Sequence, residues 1–238
     1  IYEGERREQF EAGIDKFMDE AKRLARFQNA PGIVHIYDSF FENKTAYIVM
    51  EYIEGETLKQ KIERDGKMSV EQTLHIVLPI IAAMKEVHAA GIIHRDIAPD
   101  NIMIDKEGNA KLIDFGAARY ATTTYTKSLS VLIKPGYAPM EQYQSRGQQG
   151  TWTDVYALAA TMYTMLTGCV PEDAMERFGK DTLKPLSKEG VKVSKNLETA
   201  IRNAMNIKVE ERTPTMEVFE QELLSEGEVA RLVVKKDK

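Results

Sequence analysis

The stretch HRDIAPDN at residues 94–101, followed by DFG at residues 114–116, decides how the rest of this sequence is interpreted. The first motif lies in the connection between a long helical pattern and a short strand pattern, and the second comes just after the next strand. Loops of this kind carry functional side chains more often than the elements they join. Asp96, Asn101 and Asp114 are therefore the candidate functional residues of the chain.

The chemistry of these three side chains suits phosphoryl transfer. That reaction needs a carboxylate that orients the attacking hydroxyl and accepts its proton, and Asp96 would do this. It also needs oxygen ligands that hold Mg²⁺ on the nucleotide phosphates. Asn101 offers an amide carbonyl and Asp114 a carboxylate, the hard donors that magnesium prefers. The sequence therefore predicts Asp96 as a base and Asn101 and Asp114 as metal ligands.

The surrounding patterns predict two small hairpins and several helices. Ser69 and Gln72 form a capping box at the start of the longest helix, which contains Pro79 and stops near Gly91. Asp154 to Leu166 is apolar nearly all round, which predicts a buried central helix. The predicted strands span 33–40, 45–53, 101–104 and 111–113, and the other predicted helices span 10–27, 57–64, 196–206 and 214–224, the last with a cap at Thr213-Pro214.

Composition excludes several other classes of protein. The chain has 238 residues, 43% of them hydrophobic, which is enough for a real core, and its formal net charge of −5 provides no basic field for nucleic acid. Cys169 is the single cysteine, so an internal disulfide is impossible and a reducing, cytoplasmic compartment is expected. The most apolar stretch, Leu74 to Met84, is shorter than the roughly 20 residues of a membrane span. We expect neither a nucleic-acid partner nor a membrane segment.

The motifs in this order resemble the eukaryotic-like (Hanks-type) bacterial serine/threonine protein kinases. The resemblance runs from about Phe10 to Leu224. In GYAPME, at residues 136–141, the glutamate resembles the end of the family's APE motif, whose partner would be Arg212, and Asp154 matches the aspartate that fixes the catalytic loop. The resemblance implies an α+β, protein-kinase-like fold with a mostly helical C-lobe and a partial, truncated N-lobe. It also implies transfer of phosphate from ATP, with Mg²⁺, to Ser/Thr hydroxyls of a protein substrate.

The resemblance further implies lobes and a nucleotide site. Residues 1–53 would form the partial N-lobe, 54–226 the C-lobe and 227–238 a tail. In the family, a glutamate on the first helix pairs with a strand lysine that binds the nucleotide. A gatekeeper residue and a hinge contact adenine, and an apolar residue lies under the base. The nucleotide-binding residues implied in this way are Glu20 on the helix, Met50 as gatekeeper, Glu51, Tyr52 and Ile53 in the hinge, Met103 as the floor, and Asp114.

Two departures from the family concern positive charge at the phosphates. No glycine-rich loop and no strand lysine precede Glu20 in a chain that begins at Ile1, so we interpret the sequence as a truncated piece, weakly active or inactive by itself. The lysine that the family places two residues after the catalytic aspartate is replaced by Ala98. Lys134 stands where such kinases usually carry a threonine facing that aspartate. We expect its ammonium to reach Asp96 and replace the missing charge, which makes Lys134 a candidate catalytic residue.

Two other functions stay open at this stage. A pseudokinase, which is a scaffold or binding module without turnover, is suggested by Ala98, whereas the intact Asp96, Asn101 and Asp114 count against it. A small-molecule kinase of the aminoglycoside or choline type shares an aspartate and an asparagine at similar spacing. Such enzymes lack the peptide-docking segment that would end at Glu141. The sequence identifies neither the protein substrate nor the oligomeric state.

Overall fold

A computed structural model describes residues 30–114, 133–144 and 147–227, together with residues 14, 17–19, 21–27 and 229. Helical residues 14, 17–19 and 21–24 fall within the first predicted helix. Glu20, which the sequence assigns to the nucleotide site, lies outside the described residues, as do Phe115 and Gly116 of the DFG motif.

Two small antiparallel sheets lie on either side of residues 51–54, which include the predicted hinge at 51–53. The first sheet pairs β1 (Ile36–Glu42) with β2 (Thr45–Met50), and the second has the order β3 (Gly55–Thr57), β4 (Ile102–Asp105), β5 (Ala110–Leu112). The sequence did not predict β3, because three residues are too few to show a strand periodicity.

Helices supply much of the hydrophobic core of the described residues. Residues 153–166 of the central helix are buried without exception, as the sequence predicted. This helix packs against its three longest neighbours, since it contacts α2, α6 and α7. In chain order the helices are α1 (Leu58–Asp65), α2 (Val70–Ala89), α3 (Met140–Tyr143), α4 (Thr151–Thr167, the central helix), α5 (Ala174–Arg177), α6 (Lys195–Ala204) and α7 (Met216–Leu223).

Side-chain caps begin α2 and α7, and the second of them corrects the sequence analysis. The predicted capping box of Ser69 and Gln72 begins α2. The predicted cap of α7 at Thr213-Pro214 is wrong, because the N-cap is Thr215, whose hydroxyl accepts from the backbone N–H of Val218 at 3.4 Å. Thr213 instead donates its hydroxyl to Glu222 Oε2, in the last turn of α7, at 2.8 Å, and the helix begins later.

The first predicted strand begins later than expected because its opening residues pair elsewhere. The backbone N–H of Val34 donates to the Leu112 carbonyl at 3.0 Å, and the Leu112 N–H donates to the Gly32 carbonyl at 2.9 Å. Residues 32–34 therefore run along β5 before β1 starts at Ile36.

Gly32 permits this crossing because the chain passes very close to α2. A Cβ atom at this position would lie 2.3 Å from the carbonyl oxygen of Pro79, well inside van der Waals contact. Helix α2 continues through Pro79, so that carbonyl is part of the helix backbone and cannot move easily. Only a residue without a side chain fits between the backbone of α2 and β5.

No helix of the described ranges is long and apolar enough to cross a lipid bilayer.

Replacing Gly32 by alanine tests this packing. We expect Gly32→Ala to lower the free energy of unfolding by roughly 1–3 kcal/mol, because backbone atoms must move to admit the methyl group. Urea denaturation followed by circular dichroism measures the change. Gly227→Ala is the matched control, since a Cβ there has its nearest neighbour at 3.8 Å; equal stabilities of the two variants would contradict the packing argument.

Candidate active site

The loop that carries HRDIAPDN is fastened to the central helix through Asp154. This fully buried carboxylate, in the first turn of α4, accepts the backbone N–H of His94 at 2.8 Å and that of Arg95 at 2.7 Å. His88 Nε2 of α2 lies 2.8 Å from the same carboxylate. Sequence reasoning assigned the backbone contacts to Asp154 by resemblance and did not indicate the contact with His88. No local pattern shows that a histidine near a helix end faces an aspartate of another helix.

Backbone strain in the described residues falls on the β1–β2 turn and on this site. The residues other than glycine with positive φ are Asn43 and Lys44 in the turn, and Arg95 at 68° and Asp114 at 57° in the site. Such conformations persist where surrounding contacts enforce them, and they cluster at functional sites. Both predicted motifs therefore hold one strained residue each.

Asp96 is held by Asn101 at the far end of the same loop. The Asn101 amide Nδ2 donates to the Asp96 carbonyl at 2.8 Å and to Asp96 Oδ2 at 2.9 Å. The backbone N–H of Asp96 donates to His94 Nδ1 at 3.2 Å. These contacts fix the orientation of the carboxylate that the sequence assigns as base.

Lys134 approaches Asp96 from residues 133–144, a separate segment of chain. Its ammonium Nζ lies 3.3 Å from Asp96 Oδ2 and 2.7 Å from Asp100 Oδ1. Ala98 is 1% exposed and lies between these aspartates in sequence. The structure thus places a cation against Asp96, as the sequence analysis expected, and adds a second contact of this cation with Asp100.

Asn101 and Asp114 are brought together by the β4–β5 hairpin. The backbone N–H of Ile113 donates to the Asn101 carbonyl at 2.9 Å, and Asp114 is the next residue. Because Asn101 uses its amide nitrogen for Asp96, its Oδ1 is the side-chain atom suited to a cation. An amide oxygen and a carboxylate form an all-oxygen donor set, which fits Mg²⁺.

The predicted hinge is tied to β5 by an ion pair. Lys111 Nζ lies 2.6 Å from both carboxylate oxygens of Glu51, which also accepts the backbone N–H of His35 at 2.7 Å. The Glu51 N–H itself donates to the His35 carbonyl at 2.9 Å. The Glu51 side chain is therefore structural, a role that the sequence did not indicate, and its backbone carbonyl remains the group suited to adenine.

The other predicted adenine contacts surround this ion pair. Met50 ends β2, and Tyr52 and Ile53 follow in the link to β3, where Tyr52 is 90% exposed. Met103 is half-buried on β4, opposite Thr57 of β3 and Lys111 of β5. Met103 therefore lies one strand away from the lysine that anchors the hinge.

The end of the 133–144 segment is locked by a buried ion pair. The Arg212 guanidinium donates to the two Glu141 carboxylate oxygens at 2.7 and 3.2 Å, and Thr153 donates its hydroxyl to Glu141 at 2.9 Å. The Arg212 guanidinium also lies 5.0 Å from the centre of the Tyr156 ring. This is the glutamate–arginine pair that the resemblance implied in the sequence analysis.

The chain matches the protein kinase domain family over residues 2–224. It therefore belongs to the protein kinase family, and the resemblance and the α+β kinase-like fold expected from the sequence are confirmed.

Similar proteins show which kind of protein kinase the chain resembles, since the curated relatives are bacterial serine/threonine-protein kinases. The chain is 41% identical over 162 residues to the serine/threonine-protein kinase PrkC of Bacillus subtilis, which covers 67% of this chain and 24% of PrkC. It is 33% identical over 174 residues to the probable serine/threonine-protein kinase pknA2 of Bifidobacterium longum, with coverage of 73% and 22%. The chain thus spans about a quarter of the length of these relatives. Among solved structures, the apo form of PpkA-294 has a TM-score of 0.80 and 33% identity, covering 91% of this chain and 76% of that chain.

The Glu51–Lys111 pair predicts a defined pH dependence of stability. Burial by itself raises the pKa of Glu51, but the hydrogen bonds from Lys111 and from the His35 backbone outweigh it and hold this pKa below the ordinary 4.5. A folded-state pKa below the unfolded one stabilises the fold above the unfolded value, and this contribution is lost as the pH falls through the folded value. We expect Lys111→Met to lower the free energy of unfolding by about 1 kcal/mol at neutral pH.

The difference in free energy of unfolding between Lys111→Met and the wild type should shrink as the pH falls below 4.5, the ordinary pKa of a glutamate. Urea denaturation at a series of pH values measures both quantities. Lys184→Met is the control, because Lys184 is 68% exposed and pairs with Glu189 at the surface. A Lys111→Met effect that stays constant down to acid pH would rule out the ion pair as its cause.

Proposed function

We propose that this chain transfers the γ-phosphoryl group of ATP, with Mg²⁺, to serine or threonine hydroxyls of a protein, with Asp96 as the base. The observation that carries the proposal is the arrangement around Asp96, whose carboxylate contacts the amide of Asn101 at 2.9 Å and the ammonium of Lys134 at 3.3 Å. A carboxylate with a neighbouring cation and a metal-ligating amide is the set of groups that phosphoryl transfer requires.

Asp96 would orient the attacking hydroxyl and accept its proton. The Asn101 amide donates to the carboxylate Oδ2 of Asp96 and to the backbone carbonyl of Asp96, so the position of the base is set before a substrate binds. The metal would be held by Asn101 Oδ1 and Asp114, where it would neutralise charge on the phosphate oxygens. The hinge residues 51–53 would contact adenine through their backbone, with Met50 and Met103 beside the base.

Lys134 would supply the positive charge that Ala98 cannot. Its ammonium lies between Asp96 and Asp100, 26% exposed, at the place where base and substrate hydroxyl would meet. A preorganised cation at such a site stabilises the negative charge that develops on the transferred group. The position of Lys134 on the 133–144 segment makes this charge depend on the docking of that segment.

We expect this chain to bind ATP weakly, because its residues before Glu20 hold neither a glycine-rich loop nor a strand lysine. Isothermal calorimetry with Mg-ATP tests the proposal. Binding should be weak for the wild type and lost in Asp114→Asn, whereas Asp38→Asn, an exposed aspartate on β1, should bind as the wild type does. Absence of binding even to the wild type would favour a scaffold function without turnover.

The role of Lys134 is tested by Lys134→Met, which keeps the length of the side chain and removes its charge. We expect a loss of about 100-fold or more in kcat, with partial activity retained in Lys134→Arg. Radiolabelled phosphate transfer to casein or myelin basic protein is the readout. Lys59→Met is the matched control, because Lys59 lines the same 390 Å³ cavity as Lys134 but is 60% exposed. Full activity in Lys134→Met would refute this role.

The choice of substrate class needs a separate comparison. Proteins, choline and an aminoglycoside are offered side by side to the wild type and to Asp96→Asn. We expect Asp96-dependent transfer to protein alone. Transfer to a small alcohol instead would favour a small-molecule kinase.

A further inference from the structure

Gln142 connects helix α3 to the catalytic loop. Its side chain is 8% exposed, and its amide Nε2 donates to the backbone carbonyl of Arg95 at 2.8 Å. Neither the motifs of the sequence analysis nor the proposed chemistry uses this glutamine. The contact nevertheless ends on the residue that precedes the proposed base.

Arg95 is the strained residue of that loop, and its two peptide groups are held from different helices. Its φ of 68° is in the left-handed region, which is unfavourable for a residue other than glycine. The N–H on one side donates to Asp154 of α4 at 2.7 Å, and the carbonyl on the other side accepts from Gln142 of α3 at 2.8 Å. Two contacts on opposite sides of one residue fix both of its peptide planes.

The second of these peptide planes, between Arg95 and Asp96, sets the direction in which the Asp96 side chain leaves the backbone. The carbonyl of Arg95 and the N–H of Asp96 belong to the same peptide group, so the donor of Gln142 orients the backbone from which the Asp96 side chain leaves. The other contact of this peptide group, from the Asp96 N–H to His94 Nδ1, is longer, at 3.2 Å. The Gln142 contact is thus the shorter of the two.

Helix α3 gives Gln142 a rigid base. The neighbouring Glu141 is held by Arg212 at 2.7 Å and by Thr153 at 2.9 Å, and the Gln142 N–H donates to the Pro139 carbonyl at 3.0 Å. The same stretch of chain carries Lys134. The 133–144 segment therefore contacts the catalytic loop through Lys134, which reaches Asp96 and Asp100, and through Gln142, which reaches Arg95.

We propose that Gln142 is a positioning residue for phosphoryl transfer, acting on Asp96 through the Arg95 carbonyl. The proposal rests on the function proposed above. Without the amide donor, the Arg95 carbonyl loses its contact with α3, so the orientation of the Arg95–Asp96 peptide is less firmly fixed and the Asp96 carboxylate shifts relative to Asn101 and Lys134. Binding of ATP at the hinge does not involve this peptide, so the proposal separates the rate of transfer from nucleotide affinity.

Gln142→Met tests the proposal, because methionine has a similar length and volume but no donor. We expect kcat for transfer to casein to fall roughly tenfold or more, with the KM for ATP unchanged within about twofold. Gln144→Met, an exposed position just beyond the end of α3, is the matched control and should leave both constants unchanged. A wild-type kcat in Gln142→Met, or a fall in kcat matched by a rise in the KM for ATP or by a large loss in Tm, would overturn the proposal.

A second readout does not depend on activity. Amide hydrogen exchange of a peptide covering residues 92–102 should become faster in Gln142→Met, while exchange of the central helix α4 stays as in the wild type. Unchanged exchange in residues 92–102 would overturn the positioning role. A wild-type chain that neither binds Mg-ATP nor transfers phosphate would refute the proposed function alone, since the exchange experiment still decides whether Gln142 holds the loop.

Discussion

The buried carboxylate of Asp154 is the constraint on which the site depends. It lies at the start of the central helix, fully screened from water, and accepts the N–H groups of His94 and Arg95 while His88 contacts it from α2. An unpaired carboxylate in this position would be very costly, so the helix and the loop are stable only together. The strained backbone at Arg95 is a local cost that this pairing offsets.

The two sheets are connected by contacts that also bear on the proposed nucleotide site. Residues 32–34, just before the first sheet, run along β5, and Glu51, just after it, contacts Lys111 of the same strand. The chain is therefore bound to β5 on both sides of the first sheet. Gly32 makes the entry possible by its lack of a side chain. The predicted hinge is thus held by β5 of the second sheet as well as by its covalent links to β2 and β3.

Elements with strong local signals were predictable from the sequence, and contacts between distant residues were not. The buried helix α4 and the Ser69 capping box follow from periodicity and cap chemistry, and the predicted positions of Asp154 and Lys134 followed from the resemblance. His88, Lys111 and Gln142 carried no signal, because each acts through a partner far away in sequence. The start of α7 was misplaced for a local reason, since Thr213 bonds to Glu222 in the last turn of α7 and the helix is capped by Thr215.

The position of Lys134 has a consequence for how the site is assembled during folding. When a base and its neighbouring cation share one short loop, their proximity is a local property of that loop. Here the aspartates and the lysine come from segments that meet only in the tertiary structure. Closing this long loop carries an entropic cost that must be met before the charges balance. The cation beside these aspartates therefore depends on docking of the 133–144 segment, and a chain with an intact helical core but an undocked segment would lack the Lys134 ammonium there.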